Sequence, residues 1–135
     1  MEVDKEVMRM ANERDAARGV IATADVGGEP DVAYFGSLRF TDPSTMQMVT
    51  GPTRTLANLR ANPRAVFMVS EGKEFKELTG WRIHLAVKGM IESGDMFEKA
   101  RVEVAKRVGD EAARTMQAIV TFDIVDVRPL REPRE

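Results

Sequence analysis

The chain has 135 residues, of which 43% are hydrophobic and 31% are charged, a composition typical of a soluble globular protein with a single domain over residues 1–135. Lysine and arginine total 20 against 22 acidic residues, so the net charge of -2 gives no support for binding to nucleic acid or to an anionic membrane. With no cysteine and one histidine, the chain excludes disulfides, thiolate catalysis and a multi-histidine metal site.

The first predicted element is an N-terminal helix within residues 1–18. Val3, Val7, Met10 and Ala11 recur there at helical spacing, with charged residues between them. The mixed charge of this segment differs from a secretory signal, and no run in the chain approaches the roughly 18–20 apolar residues of a spanning helix. We therefore expect a cytoplasmic protein without a membrane segment.

The next segment, up to residue 50, has the sequence character of β-strands. Strand-type residues flank Gly27 and Gly28, and two adjacent glycines supply the positive φ angles of a tight turn, so we predict a β-hairpin there. The predicted second strand continues through "DVAYFGSLRF". Pro43, within "TDPS", predicts a second turn, and "TMQMV" then predicts a short third strand.

The second half of the chain predicts three further strands and a helix. The strands are "RAVFMVS", "WRIHLAVKGMIE" and "MQAIVTFDIVDVRPL", and the helix is "DMFEKARVEVAKRVGD", followed by a frayed tail at residues 129–135. Six strands at hairpin spacing, with few helices and no regular β-α-β alternation, predict a closed or partly closed antiparallel barrel with helices packed outside it.

The segment "VTGPTRTLANLRANPRAVFMV", residues 49–69, joins two apolar runs through a short polar stretch. Pro52 and Pro63 bracket that stretch, and because proline disfavours helical geometry in the residue before it, a helix here should end by Asn62. The hydroxyl of Thr53 can cap the start of the helix. We therefore predict a short capped helix between the third and fourth strands.

The start of this helix carries groups that can bind an anion. Its first amides are unpaired and lie at the positive end of the helix dipole, and the guanidinium of Arg54 matches phosphate oxygens. Thr55 and Asn58 lie three residues apart and share one side, and Gly51 allows a close approach of the backbone. The spacing alone leaves two alternatives open, an anion pocket or a capped connector with a solvated arginine.

Three runs carry a resemblance to a known family: "TRTLANLRANPR", "GWRIHLAVKGMIE" and "DMFEKA". With these runs and the order of its strands, the chain resembles the FMN-binding split barrels of the pyridoxamine-phosphate-oxidase-like family over residues 15–127. The resemblance is greatest to the small FMN-binding members. It implies a mainly β (α+β) fold, a six-stranded antiparallel split β-barrel with flanking helices. It also implies a homodimer with FMN bound at the subunit interface by residues of both chains.

The same resemblance implies the residues of the cofactor site. Arg54 and Thr55 are expected to bind the FMN phosphate, with Asn58 supporting them from the next turn. The residues expected to line the ribityl chain and the isoalloxazine edge are Val49, Thr50, Gly51, Tyr34, Phe35, Gly36 and Ser37. Two of these have structural alternatives, since Gly36 could form a bulge and Phe35 could belong to the core.

Trp81 and His84 are further candidates on the long strand after "EGKEFKELTG". Trp81 is placed among the cofactor-binding residues because it could reach the flavin of a partner subunit, although packing in a core or dimer interface is the alternative. His84 is interpreted as structural rather than as a catalytic base.

In a flavoprotein the cofactor carries the electron chemistry, so no catalytic side chain and no metal are expected. The prediction is an FMN-binding oxidoreductase or electron carrier with a small-molecule or protein electron donor or acceptor. The alternatives are a split barrel that binds deazaflavin or haem, and a non-enzymatic binding module. Oxidation of pyridoxamine phosphate is not expected, because the chain is short and "RPLREPRE" matches the arginine-rich C-terminus of true oxidases poorly.

Overall fold

The computed structural model describes residues 1–132, which form one seven-stranded sheet and four helices. The strands are β1 (Gly19–Ala24), β2 (Pro30–Tyr34), β3 (Arg39–Asp42), β4 (Thr45–Thr50), β5 (Arg64–Glu71), β6 (Thr79–Ile91) and β7 (Ala118–Pro129). The helices are α1 (Lys5–Glu13), α2 (Arg54–Ala61), α3 (Asp95–Val108) and α4 (Asp110–Arg114). None of these four helices is both long enough and apolar enough to cross a membrane.

The sheet has the strand order β2-β1-β5-β6-β7-β4-β3, and every neighbouring pair is antiparallel. The edge strands β2 and β3 follow each other in the chain, yet no ladder joins them within the described residues. The barrel is therefore open along this edge. This arrangement confirms the predicted fold class, an antiparallel split barrel with flanking helices.

The prediction of six strands was one too few, because the expected second strand is two strands. β2 ends at Tyr34, and the chain then crosses from one edge of the sheet to the other over residues 35–38 before β3 begins. Leu38, at the end of this crossing, is fully buried. Gly36 consequently lies in a turn. The prediction placed it inside a strand, either as a ligand contact or as a bulge, and this placement was wrong.

The predicted hairpin at the two adjacent glycines is confirmed. β1 and β2 pair in register on either side of the turn, and Gly28 has a φ of 89°, a conformation that glycine adopts without steric cost. The carboxylate of Asp25 accepts hydrogen bonds from the amides of Gly27 and Glu29, both at 2.9 Å. The turn is therefore stabilised by its own residues.

The N-terminal helix is shorter than predicted, because the first residues lie extended against the sheet. The amide of Val3 donates to the carbonyl of Pro43, and the amino group of Met1 donates to the carbonyl of Ile124. At the other end, Arg14 has an extended backbone with a ψ of 154°, and a short 3₁₀ turn follows at Ala16–Arg18. The helical region predicted within residues 1–18 is thus reduced to α1.

The C-terminus also differs from the prediction of a frayed tail at residues 129–135. Pro129 is the last residue of β7, and the amide of Leu130 donates to the carbonyl of Gly80, so the pairing with β6 continues past the proline. Residues 133–135, the remainder of the predicted tail, lie outside the described residues.

The core occupies the interior of the barrel and follows the period-two alternation of the strands. In β6, Ile83 and Leu85 are buried, as their alternation with polar residues predicts. Val7 and Met10 of α1 pack onto the same core. A second, smaller cluster beneath α3 contains Phe97, Met116 and Ile119. Each fully buried large apolar side chain contributes about 1.5–3 kcal/mol, so these clusters hold the barrel and its helices together.

Candidate functional site

Helix α2 begins and ends where the sequence predicts. The Oγ1 of Thr53 accepts a hydrogen bond from the amide of Leu56 at 3.2 Å, which is the predicted N-cap. The C-cap is Asn62, directly before Pro63. Leu56 and Leu59 are both buried, so one side of the helix is anchored in the core. The helix start is therefore held in one position relative to the sheet.

Arg54 projects from the first turn of α2 as an exposed cation. Its guanidinium forms no hydrogen bond or ion pair with any other residue between 1 and 132, and within the same range the amides of Arg54 and Thr55 have no acceptor. A cation beside two free amides at the positive end of a helix is a chemically suitable site for an anion. The donors present at this position therefore fit a phosphate group.

The buried polar side chains of the described chain concentrate around α2. They are Thr23, Thr50, Thr55 and Asn58, each at most 5% exposed. Asn58 donates from Nδ2 to the Oγ1 of Thr23 on β1 at 3.0 Å. The hydroxyls of Thr50 and Thr53 lie 3.0 Å apart. Burying polar groups is costly unless they are paired, so their gathering at one end of the barrel sets this end apart from the apolar core.

A cleft of about 630 Å³ opens between the β3–β4 hairpin and α3. Gly36, Ser37 and Val49, three of the predicted cofactor-site residues, line it together. The hydroxyl of Ser37 donates to the carbonyl of Val49 at 2.8 Å and accepts from its amide at 3.1 Å. Val49 directly precedes Thr50 in β4, and their side chains point to opposite faces of the strand, Val49 toward the cleft and Thr50 toward the interior. We call this the α3 cleft.

The predicted site did not include the rest of the lining of the α3 cleft, which contains Arg39 on β3 and Arg107 on α3. The residues that it did not include are Arg39, Thr41, Gln47, Met48, Ala100, Glu103, Val104, Arg107 and Val108. Arg39 and Arg107 form no hydrogen bond or ion pair with other residues of the described range, and they line the cleft together with Glu103. Both are ordinary arginines in the sequence, and only the packing of α3 near β4 brings them together.

Three other predicted site residues have contacts within the chain itself. Thr50 is buried, and a Cβ added at Gly51 would lie 3.1 Å from the carbonyl oxygen of Thr115, so the close approach at Gly51 is made by the chain. Phe35 packs against the main core, as its structural alternative holds. The direct contacts of these residues with a cofactor stay predictions.

Tyr34 and Trp81 lie apart from the start of α2 within one chain. Tyr34 is 67% exposed on the outer face of β2. Trp81 pairs with Val69, whereas Arg64, three residues after the C-terminal end of α2, is five residues back along β5 and thus about 16 Å away at roughly 3.3 Å per residue. The structure does not bring Tyr34 or Trp81 to α2, and their place in a cofactor site stays a prediction that requires a second subunit.

His84 lies on the outer face of the sheet, near Thr23 and near Asn62, the C-cap of α2. It lines a shallow pocket of about 480 Å³ together with Arg64, Asp126 and Arg128. The hydrogen bond from Arg128 is the main reason that the pKa of the Asp126 carboxyl lies below its usual value. Nowhere in the described residues do three potential metal ligands come together. The structural interpretation of His84 stays a prediction.

These features agree with the comparison with known families. The family model described as pyridoxamine 5'-phosphate oxidase matches residues 5–132, nearly the whole chain. The chain belongs to this family. The resemblance seen in "TRTLANLRANPR" is thereby confirmed. Among curated proteins, no significant match was found.

Solved structures of the pyridoxamine 5'-phosphate oxidase type share the fold. An FMN-binding protein from Syntrophomonas wolfei subsp. wolfei has a TM-score of 0.83 at 19% identity, covering 96% of this chain and 87% of its own. The match to an F420 reductase has a TM-score of 0.69 at 14% identity and covers 93% of this chain and 98% of the reductase chain. HutZ, a haem storage protein from Vibrio cholerae, has a TM-score of 0.65 at 18% identity, covering 95% and 94%. At such identities the likeness shows the fold alone, and these neighbours are named for three different cofactors.

Proposed function

We propose that this protein is an FMN-binding flavoprotein that acts as an oxidoreductase or electron carrier, with the flavin bound at the interface of a homodimer. The observation that carries the proposal is the polar end of the barrel. Two buried polar side chains of α2 and two of the neighbouring strands lie there, and the first turn of the helix leaves a cation and two amides free. Of the three neighbours compared above, the FMN-binding protein has the highest TM-score, and we take FMN from it as the proposed cofactor.

In this proposal, Arg54 and Thr55 bind the phosphate of FMN. Asn58 supports them by tying α2 to Thr23 on β1, which keeps the first turn of the helix in place. The free amides of that turn complete the anion site, since no residue of the described chain competes for them. When bound, FMN supplies the electron-transfer chemistry, while the chain binds and orients it.

The α3 cleft is proposed to receive the rest of the flavin. Ser37, Val49, Thr50 and Gly51 would line the ribityl chain and one edge of the ring system, with backbone groups of residues 35–37 beside the ring.

The outer face of β2, β1 and β5 supports the homodimer. Val32, Tyr34 and Met68 are exposed on this face, and the strand register places them beside Val20, Ala22 and Val66. An exposed apolar surface that continues across three strands is typical of a protein interface. We propose a second copy of the chain as its occupant, so that Tyr34 and Trp81 meet the flavin only across the interface.

The test is the visible spectrum of the purified protein after incubation with FMN and removal of free ligand. Bands near ~370 and ~450 nm that are released on denaturation support the proposal, since these bands belong to the cofactor itself. Sedimentation of the same sample should show a dimer. A protein that stays colourless contradicts the proposal, and uptake of haem or a deazaflavin instead of FMN identifies the alternative cofactor. The cytoplasmic location and the electron partners stay predictions.

A further inference from the structure

Arg14, just after α1, is half-buried beside the segment that crosses between the edges of the sheet. Its guanidinium donates hydrogen bonds to the backbone carbonyls of Ala11 and Phe35. The Cζ of Arg14 lies 4.7 Å from the centroid of the Phe67 ring, which is fully buried. Arg14 therefore joins the end of α1 to the start of residues 35–38.

This charge is held in place at a cost to stability. Among residues 1–132 no carboxylate pairs with Arg14, and its Nε is buried without a partner. Burial lowers the pKa of the Arg14 guanidinium to about 10, and the nearby charge of Arg39 adds to the effect. Arg14 still carries its charge at neutral pH. Two carbonyls and an aromatic ring replace the water that a guanidinium normally binds.

The surrounding sequence makes room for Arg14. A Cβ added at Gly19 would lie 2.7 Å from the Cζ of Phe67 and closer still to the Nε of Arg14, so a larger residue at position 19 would displace the guanidinium. A leucine or methionine at position 14 would fill this space without burying a charge. However, an apolar residue could not donate a hydrogen bond to the carbonyl of Phe35.

The segment that Arg14 holds is connected by hydrogen bonds to the start of α2. Two residues after Phe35, the hydroxyl of Ser37 bonds both the amide and the carbonyl of Val49. The next residue of β4, Thr50, bonds the hydroxyl of Thr53, which caps α2. The wall of the α3 cleft and the start of α2 are thus parts of one connected arrangement.

We propose that Arg14 is a positioning residue for the cofactor site, because its bond to the Phe35 carbonyl holds residues 35–37 in place for Ser37 to join Val49. The nature of the ligand rests on the proposed function. The positioning itself is a property of the chain without ligand, so it can be measured separately.

The decisive variant is Arg14→Met, which keeps an apolar stem and removes both donated hydrogen bonds. Amide hydrogen exchange, followed by NMR on the ligand-free protein, should be roughly tenfold or more faster at Val49, the size expected for losing a hydrogen bond to a charged group. The amide of Phe122, in the buried central strand β7, should change much less. The control is Val7→Ala, a buried substitution in α1 that should affect Val49 and Phe122 alike.

FMN titration of the same three proteins provides the second measurement. Arg14→Met should bind FMN roughly tenfold or more weakly than the unsubstituted protein, and Val7→Ala should bind it equally well. If the unsubstituted protein takes up no FMN, the proposed function fails, while the exchange rates still decide the positioning. Equal acceleration at Val49 and Phe122, an unchanged rate at Val49, or unchanged FMN affinity in Arg14→Met would each overturn the inference.

Discussion

The region around α2 and the region around Trp81 show how one barrel can carry two different environments. Near α2, paired hydroxyls and a carboxamide are buried between the helix and the strands. Near Trp81, the buried residues Val69 and Ile83 are apolar, and Trp81 itself packs onto the core. The buried polar side chains belong to β1, β4 and α2, whereas the buried side chains of β5 and β6 are apolar along both strands. One end is built to stabilise the fold, and the other is suited to holding a polar ligand.

The largest effect is expected from a substitution at the apolar end. Ile83→Ala removes a fully buried side chain that lies on the same face as Trp81, and the resulting cavity should lower the free energy of unfolding by about 2–5 kcal/mol. Urea denaturation measures this loss. The FMN affinity of the folded fraction should not change. A parallel loss of affinity would mean that the two ends are not separable.

The next effect concerns binding at the polar end. Arg54→Ala should weaken FMN binding by about 1.5–3 kcal/mol, as expected for the loss of a charged hydrogen bond. Because Arg54 is exposed, the free energy of unfolding should change by less than about 0.5 kcal/mol. Quenching of FMN fluorescence on binding gives the affinity.

The matched control for this variant is Arg60→Ala on the same helix. Arg60 forms an ion pair with Glu92, and its removal changes the net charge by the same amount. The Arg60→Ala variant should bind FMN with the same affinity as the unsubstituted protein. Equal weakening in both variants would indicate an effect of total charge, and an unchanged affinity in Arg54→Ala would place the phosphate elsewhere.

The smallest effect is expected at the cap of α2. Thr53→Ala removes the acceptor for the amide of Leu56 and the partner of the Thr50 hydroxyl, and should lower the free energy of unfolding by about 1 kcal/mol. Thermal unfolding followed by circular dichroism detects this change. Thr53→Ser keeps the hydroxyl and should remain close to the unsubstituted protein. If the serine variant loses as much as the alanine variant, the hydroxyl is not the stabilising group.

Much of the local structure followed from short-range rules. The bounds of α2 were predictable because a capping hydroxyl and two prolines act on their immediate neighbours. The hairpin at Gly28 and the buried face of β6 were predictable for the same reason, since turn chemistry and period-two alternation are local properties. The anion-binding potential of Arg54 was also visible in the sequence, although the sequence alone left a solvated arginine as an equal alternative.

The sequence by itself thus determined the family, the antiparallel barrel and the helix start at which a phosphate is proposed to bind. Only the tertiary structure decided that the chain leaves the sheet at residues 35–38, that α3 faces β4 across a cleft, and that Arg14 reaches the carbonyl of Phe35. It also separated Trp81 from α2. The physical reason is that these features depend on contacts between residues far apart in the chain, whose stability comes from packing that no local pattern encodes.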